Sequence, residues 1–367
     1  MRLSMAVIGL VAALCGGGVA VLGAPPADSG DAVDPVVAGA IGQQLDAHLK
    51  TIELKKGGFS GSALVAKEGR VLLLKGYGTA DAKSRRPIPA NALWDWASVS
   101  KQFTAAAVLK LQMQKKLRID DSIRKIFPGA PRNKAGVTLR HLLNHTSGLS
   151  SRVEPRGVDM FDRDAVVKFI LALPLESRPG KKWEYSNAAY FLLAAVVEKV
   201  SGRRFEQYVI EELFRPAGMK EACFIGSPGL DLERVPRQSR GTGAHFAYGE
   251  RLSWGYRGSG GAVAPLAEML QWDRALRGEE ILDAGAKAEF YRPGLNDYAL
   301  GWFVRQDRGG DVRYEHGGAV GDTATFYLRI MKADIVVALA YNTQPDLHPQ
   351  FTAEALVQIA RTGQPLR

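Results

Sequence analysis

The two ends of the chain have the character of β-strands, whereas the middle is mostly helical. Near the start, residues 58–66 and 70–76 are apolar runs separated by Lys67-Glu68-Gly69, which is a hairpin signal. Near the other end, the strand-like segments are 298–306, 312–315, 324–331 and 335–341. Strands that bracket a helical insert predict an α+β fold, with one antiparallel sheet built from both termini, flanked by helices, and an all-helical insert.

Helical periodicity sets the expected domain layout. Apolar residues recur at helical spacing in the segments 35–50, 165–173, 188–200, 205–213, 265–276 and 350–361, and a helix is expected to begin near Ser98. The segment 225–260 is rich in Gly, Ser, Arg and Pro and is predicted to be a loop. We therefore predict one catalytic domain over 35–365, with an α/β part over about 35–110 and 262–365 and a helical part over about 111–261.

The N-terminus predicts export. Met1-Arg2 precedes an apolar run that is rich in Gly and Ala and ends at Ala24, which is typical of a secretory signal peptide over residues 1–24. A flexible leader over 25–34 would follow, and the mature protein would be periplasmic or secreted. The alternative is an uncleaved membrane anchor, because the run is long enough to span a bilayer.

The formal net charge of +10 limits the partners that we expect. We find no nucleic-acid motif and no long run of Lys and Arg, so the charge is read as favouring solubility or attraction to anionic polymers of the cell envelope. We expect a monomer that acts on a small molecule or short peptide, with possible association with the cell wall and no nucleic-acid partner.

Ser98 and Lys101 are the first candidate catalytic residues. They lie three residues apart at the start of the predicted helix, so their side chains share one face. A serine hydroxyl is a weak nucleophile until a neighbouring base takes its proton, and a partly desolvated lysine can do this. The pattern alone is weak, because Ser122 and Lys125 have the same spacing.

Two further motifs supply the missing context. Tyr185-Ser186-Asn187 is distinctive, since Tyr185 is the only one of the eleven tyrosines with Asn two places on. His316-Gly317-Gly318 follows it near the C-terminal strands. With Ser-x-x-Lys, Tyr-x-Asn and His-x-Gly in this order, the chain resembles the serine β-lactamase and penicillin-binding-protein family. The likeness is to its class-C-like branch, which includes D-aminopeptidases, D-alanyl-D-alanine carboxypeptidases and esterases. Two supporting segments are His141 to Leu149 and Tyr298 to Trp302.

The resemblance implies a role for each motif residue. Ser98 would be the acylated nucleophile, and Lys101 would share the role of general base with Tyr185. Tyr185 would also protonate the leaving group, and its ionisation would need Lys101 as an adjacent cation. Asn187 would hold the carbonyl of the substrate amide and the lysine. No cofactor is implied.

The same resemblance places the substrate along the last motif. The oxyanion hole would consist of the N–H groups of Ser98 and Ala319. Gly317 and Gly318 would let the substrate lie close to the strand edge. His316 stands where many relatives have a lysine that binds a substrate carboxylate. Its imidazole would gain charge only at about pH 5.5. This departure favours an ester or amide substrate over a β-lactam or a peptide carboxylate.

Other interpretations of these motifs remain open at this point. Tyr185-Ser186-Asn187 is also a good helix N-cap, and His316-Gly317-Gly318 could form a turn. His141 and His145 recur four residues apart, but no third ligand stands at metal spacing, so we expect no metal. The alternatives for function are a D-Ala-D-Ala carboxypeptidase or β-lactamase and, from another class, an inactive binding module with the same fold.

Overall fold

The strands form three antiparallel sheets, the largest of which has seven strands. The structure is a computed structural model that describes residues 33–53, 58–81, 83–150, 159–237, 244–343 and 348–364. Its strands are β1 (Val36–Val37), β2 (Gly61–Lys67), β3 (Arg70–Tyr77), β4 (Thr79–Asp81), β5 (Arg86–Pro87), β6 (Leu93–Asp95), β7 (Cys223–Phe224), β8 (Ala262–Pro265), β9 (Phe303–Gln306), β10 (Val312–Val320), β11 (Thr323–Ile330) and β12 (Ile335–Tyr341).

The α-helices occupy the middle of the chain and both flanks of the large sheet. They are α1 (Gly39–Glu53), α2 (Lys101–Met113), α3 (Ile123–Ile126), α4 (Leu139–Leu143), α5 (Arg163–Ala172), α6 (Asn187–Ser201), α7 (Phe205–Val209), α8 (Leu266–Arg277), α9 (Ala284–Phe290) and α10 (Pro349–Thr362). A 3-10 turn over Ala97–Ser100 precedes α2, and a π-helical turn over Ile210–Phe214 continues α7.

The large sheet joins both ends of the chain, as the sequence predicts. Its strand order is β1-β3-β2-β12-β11-β10-β9, so β2 from the N-terminal part pairs with β12 from the C-terminal part. The smaller sheets are β4-β5 and β6-β8-β7. The predicted α+β class with an antiparallel sheet and flanking helices is confirmed.

The alternation of side chains along the central strands divides the core into two layers. In β12, Ile335, Val337 and Leu339 lie on one face with the apolar residues of α1 and α10, such as Leu49 and Leu356. The intervening residues of the same strand lie on the other face, towards α8 and α2. Every residue of β12 is buried, which is why its sequence is apolar throughout rather than alternating.

Helix α2 is buried along most of its length. Its residues from Lys101 to Leu109 are all buried, including Lys101, Gln102 and Thr104. Polar side chains of a helix that is enclosed on every side depend on partners within the protein. Thr104 donates to Gly258 O at 2.7 Å, and Gln102 Oε1 accepts from the Trp272 indole N–H at 2.6 Å, whereas Gln102 Nε2 is buried without a partner among the described residues.

One predicted strand is shorter than the sequence suggested. Of residues 298–306, only Phe303–Gln306 form β9, because the chain turns at Gly301, which has a φ of +84°. A Cβ atom at Gly301 would stand 2.9 Å from the backbone of Gln102. The glycine therefore lets this segment pack directly on the first turn of α2. The sequence also did not predict the sheet β6-β8-β7, whose strands have only two to four residues.

The predicted signal peptide over 1–24 lies outside the described residues, as does most of the leader over 25–34, and both stay predictions. Across the parts of the chain that the structure describes, no helix has the length and apolar character needed to cross a membrane.

Candidate active site

Ser98 lies in a strained turn between β6 and α2. Ala97, directly before it, has a φ of +44°, which is unusual for a residue with a side chain. The Asp95 side chain stabilises the turn, because its Oδ1 accepts a hydrogen bond from Ala97 N at 2.9 Å. The N–H of Trp96 donates to Ala262 O at 2.9 Å and ties the turn to β8. These contacts leave the Ser98 side chain partly exposed at the start of the 3-10 turn.

Lys101 is fully buried and reaches three oxygen atoms. Its Nζ lies 3.0 Å from Ser98 Oγ, 2.8 Å from Asn187 Oδ1 and 3.0 Å from Ser259 O. Burial lowers the pKa of Lys101 well below its ordinary value. Burial therefore favours the neutral amine of Lys101 over its ammonium form.

The number of donors and acceptors around Lys101 fits this neutral form. A neutral amine has two N–H donors and one lone pair, whereas an ammonium group has three donors and no lone pair. Asn187 Oδ1 and Ser259 O accept only, so they take the two N–H groups. In the neutral form the lone pair then faces the hydroxyl of Ser98, the one partner that can donate, whereas an ammonium group would donate to all three oxygen atoms. The geometry places Lys101 Nζ where its neutral form can accept the proton of Ser98.

Tyr185 belongs to the same cluster but is not prepared for ionisation. Its ring centroid lies 4.8 Å from Lys101 Nζ, and its hydroxyl is hydrogen-bonded to Ser98. Burial raises the pKa of Tyr185 above its ordinary value, and the bond to Ser98 only partly offsets this. Burial therefore opposes the charged forms of both groups, and the ionisation of Tyr185 with Lys101 as its adjacent cation stays a prediction.

Asn187 and Ser186 show that the Tyr-x-Asn motif has a structural role as well. Ser186 is the N-cap of α6, and its hydroxyl accepts from Ala189 N at 3.3 Å. Asn187 is the first residue of the helix and remains exposed, while its Oδ1 accepts from Lys101. The interpretation as a helix cap is thus correct, and the cap is what fixes Asn187 beside Lys101.

His316 lies in β10 with both ring nitrogens engaged. Its Nδ1 is 2.6 Å from Gly317 O, so this nitrogen carries the proton, and its Nε2 accepts from the Tyr298 hydroxyl at 3.1 Å. The residue is only 2% exposed. Burial, with the nearby Lys101 as a smaller cause, lowers the pKa of His316 to about 3. The expectation that its imidazole gains charge near pH 5.5 is wrong, and direct contact with substrate would require one of these bonds to break.

The outer edge of β10, near the turn that carries Ser98, presents backbone N–H groups that do not pair with β11. Met331 N donates to Val312 O, and β10 pairs with β11 without a register shift, so Gly317 and Ala319 direct their N–H and C=O groups away from β11. Strand β9 pairs with β10 only as far as Glu315. The N–H of Ala319 therefore points to an edge that β9 does not cover, which agrees with its expected place in an oxyanion hole.

Gly318 serves packing rather than access for substrate. A Cβ atom there would stand 2.5 Å from Thr325 Oγ1, 2.7 Å from Trp96 O and 2.9 Å from Ala97 Cβ. Thr325 Oγ1 donates to the same Trp96 O at 3.0 Å. The glycine lets β10 approach the turn that carries Ser98. A Cβ atom at Gly317 would make only ordinary contacts with Phe326, at 3.5 Å or more.

Several residues of this site were not identified from the sequence. Asp95 stood three places before Ser98, but nothing in the pattern showed that the chain turns back there. Ser259 takes part through its carbonyl, which leaves no side-chain signal. His145 was considered only as a metal ligand. The described residues contain no cluster of three His, Cys, Asp or Glu side chains placed to hold a metal.

Asp95 supplies the first test of this geometry. Burial raises its pKa to about 6, and its Oδ2 accepts from the Tyr256 hydroxyl at 2.9 Å. Asp95→Ala would leave two buried donors without partners, at about 1–3 kcal/mol each. We expect this variant to lose thermal stability and to slow the reaction of Ser98 with an active-site probe by about tenfold or more.

Asp95→Asn is the matched control. Its amide oxygen can accept from Ala97 N, and its amide N–H can donate to the Tyr256 oxygen, so it should keep the turn. The raised pKa of Asp95 means that the wild type gains stability as the pH falls from about 6 towards the unfolded value of about 4, and the Asn variant should lack this gain. Melting curves at several pH values measure both effects; an Ala variant that reacts as fast as the wild type contradicts the assignment.

Comparison with known proteins identifies relatives of this chain. The chain is 28% identical over 326 residues to penicillin-binding protein 4* of Bacillus subtilis, covering 77% of this chain and 68% of that protein. It is 31% identical over 257 residues to the putative penicillin-binding protein PbpX of the same organism, covering 68% of this chain and 63% of PbpX. The chain thus spans about two thirds of the length of these relatives.

Solved structures show the same fold. FmtA from Staphylococcus aureus matches with a TM-score of 0.76 at 18% identity, over 91% of each chain. D-amino acid amidase from Ochrobactrum anthropi SV3 matches with a TM-score of 0.72 at 20% identity, over 89% of this chain and 99% of the amidase. The octameric penicillin-binding protein homologue from Pyrococcus abyssi matches with a TM-score of 0.71 at 21% identity, over 88% of this chain and 78% of the homologue.

A family model settles the relationship that the motifs suggested. The model described as Beta-lactamase matches residues 40–361, which include every candidate site residue from Ser98 to Ala319. The chain therefore belongs to the Beta-lactamase family.

Proposed function

We propose that the protein is a serine hydrolase that cleaves a neutral ester or amide through an acyl-enzyme on Ser98. Membership of the Beta-lactamase family supports hydrolase chemistry in general. The observation that carries the proposal is the buried Lys101 side chain, whose Nζ lies 3.0 Å from Ser98 Oγ and whose pKa is lowered by burial. A buried base at 3.0 Å from a serine is the arrangement that activates a nucleophile.

In the acylation step, Ser98 Oγ attacks the carbonyl carbon of the substrate and its proton passes to Lys101 Nζ. The carbonyl oxygen becomes an oxyanion, which would be held by the N–H groups of Ser98 and Ala319. As the bond to the leaving group breaks, Tyr185 donates its hydroxyl proton to that group. The protonated Lys101, whose Nζ lies 4.8 Å from the Tyr185 ring centroid, then returns its proton to the Tyr185 oxygen, so that both side chains end neutral. The products are the released alcohol or amine and an ester on Ser98.

In the deacylation step, water attacks the ester carbonyl from the side that the leaving group vacated. One proton of the water passes to the pair of Lys101 and Tyr185. The bond between the acyl carbon and Ser98 Oγ then breaks, the pair returns that proton to Ser98 Oγ, and the carboxylic acid leaves. Because Lys101 must be unprotonated in both steps, kcat/KM should fall as the pH drops through the lowered pKa of Lys101.

A labelling experiment with a fluorophosphonate probe tests the nucleophile. Ser98→Ala should abolish covalent labelling and turnover, since the attacking oxygen is gone. Ser122→Ala is the matched control: Ser122 has a lysine three residues on, but that lysine is paired with Asp121 at 2.9 Å and Ser122 donates to Ala135 O. The control should keep full labelling, with about 1 kcal/mol less stability because Ser122 caps α3.

The outcome that sinks this proposal is labelling that survives in Ser98→Ala. Absence of labelling in the wild type, together with no turnover, would favour the alternative of an inactive binding module with this fold.

The electrostatics of the site favour substrates without a carboxylate beside the reacting bond. Among the described residues, the hydrogen-bond and ring partners of His316 are Tyr298, Gly317, Tyr185 and Phe303, and none of them is charged. Two arginines of the segment 225–260 have partners elsewhere. Arg257 forms a buried ion pair with Glu206 at 2.6 Å, and the Arg251 guanidinium lies 4.1 Å over the Phe161 ring.

A substrate panel tests this preference. We expect higher kcat/KM for p-nitrophenyl esters and D-amino-acid amides than for nitrocefin, which carries a carboxylate. The pKa of His316 is lowered to about 3, so the ratio between neutral and anionic substrates should stay constant from about pH 8 to about pH 5.5. A ratio that shifts towards nitrocefin as the pH falls would show that a cation forms at the site, and would return support to the β-lactamase and carboxypeptidase alternatives.

The names of the relatives keep a D-Ala-D-Ala carboxypeptidase or β-lactamase as the second candidate. Two of the matched proteins are described as penicillin-binding proteins, and one matched fold is a D-amino acid amidase. These descriptions favour short peptides or D-amino-acid amides as natural substrates, and the same panel separates them.

We further propose that the protein is exported, with cleavage after residue 24, and works as a monomer in the periplasm or outside the cell. The signal-like run that ends at Ala24 supports export, and the net charge of +10 is compatible with contact with the cell wall. N-terminal sequencing of the exported protein tests the cleavage; an intact Met1 in a membrane fraction would support the anchor instead.

A further inference from the structure

His145 is a buried histidine beside the site that the proposed reaction does not use. It follows α4, is 1% exposed, and has a φ of +60°, a left-handed conformation that a residue with a large side chain rarely adopts. Its neighbour in the sequence motif, His141, closes the N-cap of α4 with Thr138 and so has a purely local role. The unusual backbone conformation of His145 indicates that its role differs from that of His141.

Two hydrogen bonds to His145 hold the chain on either side of Tyr185. Glu184 N donates to His145 O at 2.8 Å, and Ser186 N donates to His145 Nδ1 at 3.1 Å. With this left-handed backbone, the carbonyl and the ring of His145 both accept hydrogen bonds from the same segment, one from Glu184 and one from Ser186. Tyr185 lies between these two anchors, so its backbone position depends on His145.

The ring of His145 also contacts the ring of Tyr185. Their centroids are 4.3 Å apart with an interplanar angle of 38°. The same imidazole lies 4.7 Å from the Tyr298 ring and 5.1 Å from the Tyr190 ring. It is packed on aromatic neighbours and therefore restricts the position of the Tyr185 phenol as well as its backbone.

The contacts of His145 require a neutral imidazole with its proton on Nε2. A protonated imidazole has no acceptor, so it could not receive the hydrogen bond from Ser186 N. Burial, followed by the nearby Lys101 and His316, lowers the pKa of His145 well below its ordinary value. The Nε2 atom is buried without a hydrogen-bond partner among the described residues. The structure thus tolerates an unsatisfied donor to keep the acceptor at Nδ1.

We propose that His145 is a positioning residue for Tyr185, which through Nδ1 and its ring keeps the Tyr185 hydroxyl beside Ser98, where it can protonate the leaving group. This role rests on the proposed function. It predicts a specific kinetic signature, because a displaced Tyr185 matters most when the leaving group needs a proton to depart.

The test compares two acetate esters that differ in their leaving groups. p-Nitrophenol leaves readily as its anion. Phenol is a poorer leaving group, so its departure depends more on receiving a proton. In His145→Ala, kcat/KM for phenyl acetate should fall about 10- to 100-fold more than kcat/KM for p-nitrophenyl acetate. Tyr185→Phe should show the same discrimination, and the double variant should be no worse than Tyr185→Phe alone.

Two further variants distinguish positioning from simple loss of structure. His145→Asn tolerates a left-handed backbone and keeps an acceptor at the δ position, so it should recover much of the kcat/KM for phenyl acetate that the Ala variant loses, and it should remain measurable if the Ala variant does not fold. His141→Ala is the matched control: it removes a buried cap contact, should lower the melting temperature, and should leave the ratio between the two esters unchanged.

Equal losses for both esters in His145→Ala and in His145→Asn would overturn the proposal, as would full additivity with Tyr185→Phe. The ratio is measured only on preparations from which a separate sample is shown to react with a fluorophosphonate at Ser98. Failure of the proposed function would appear as absent labelling of that sample, whereas failure of the role of His145 would appear as an unchanged ester ratio in a preparation that can be labelled.

Discussion

The buried amine of Lys101 is the interaction on which the rest of the site depends. An ammonium group taken out of water loses its solvation, and three uncharged oxygen partners do not replace a counter-ion. No carboxylate hydrogen-bonds to Lys101 among the described residues; its partners are Ser98, Asn187 and Ser259. The fold therefore favours the neutral amine, and the reactivity of Ser98 depends on this form of Lys101.

The architecture explains how a charge-bearing side chain comes to be buried there. Lys101 starts a helix that is enclosed on all sides, and each of its three partners comes from a different element: the turn before α2, the start of α6 and the loop before β8. Gly301 and Gly318 allow two further segments to approach this turn at backbone distance. The site is a junction of short irregular segments held by a large regular sheet.

Much of the fold was accessible from sequence because it rests on periodicity. The apolar run of β12, the hairpin of β2 and β3, and the amphipathic spacing of α1 and α10 each follow from patterns with a period of two or 3.6 residues. The failures have physical causes. Residues 298–302 look like a strand by composition, but Gly301 turns the chain, and the short strands β6, β7 and β8 exist only because they pair with one another.

The sequence predicted which residues come together in the site, but it did not predict their electrostatics. Ser98, Lys101, Tyr185, Asn187 and Ala319 come together as the motifs implied. Protonation depends on burial, which no spacing of residues reveals: burial lowers the pKa of Lys101 and of His316, and it raises the pKa of Tyr185. Contacts through backbone atoms, such as Ser259 O and the N–H groups that bind His145, also leave no mark in the sequence.

The ionisation of Lys101 is the most direct measure of this account. A pH titration of the lysine side chains by 13C NMR, with the Lys101 signal assigned from its disappearance in Lys101→Arg, reports the pKa of that group alone. The account predicts that Lys101 loses its proton far below the ordinary lysine value of about 10.4, and that the rate of Ser98 acylation rises with the same midpoint. A Lys101 signal that titrates at the ordinary value, with acylation that does not follow it, would contradict a neutral lysine as the base.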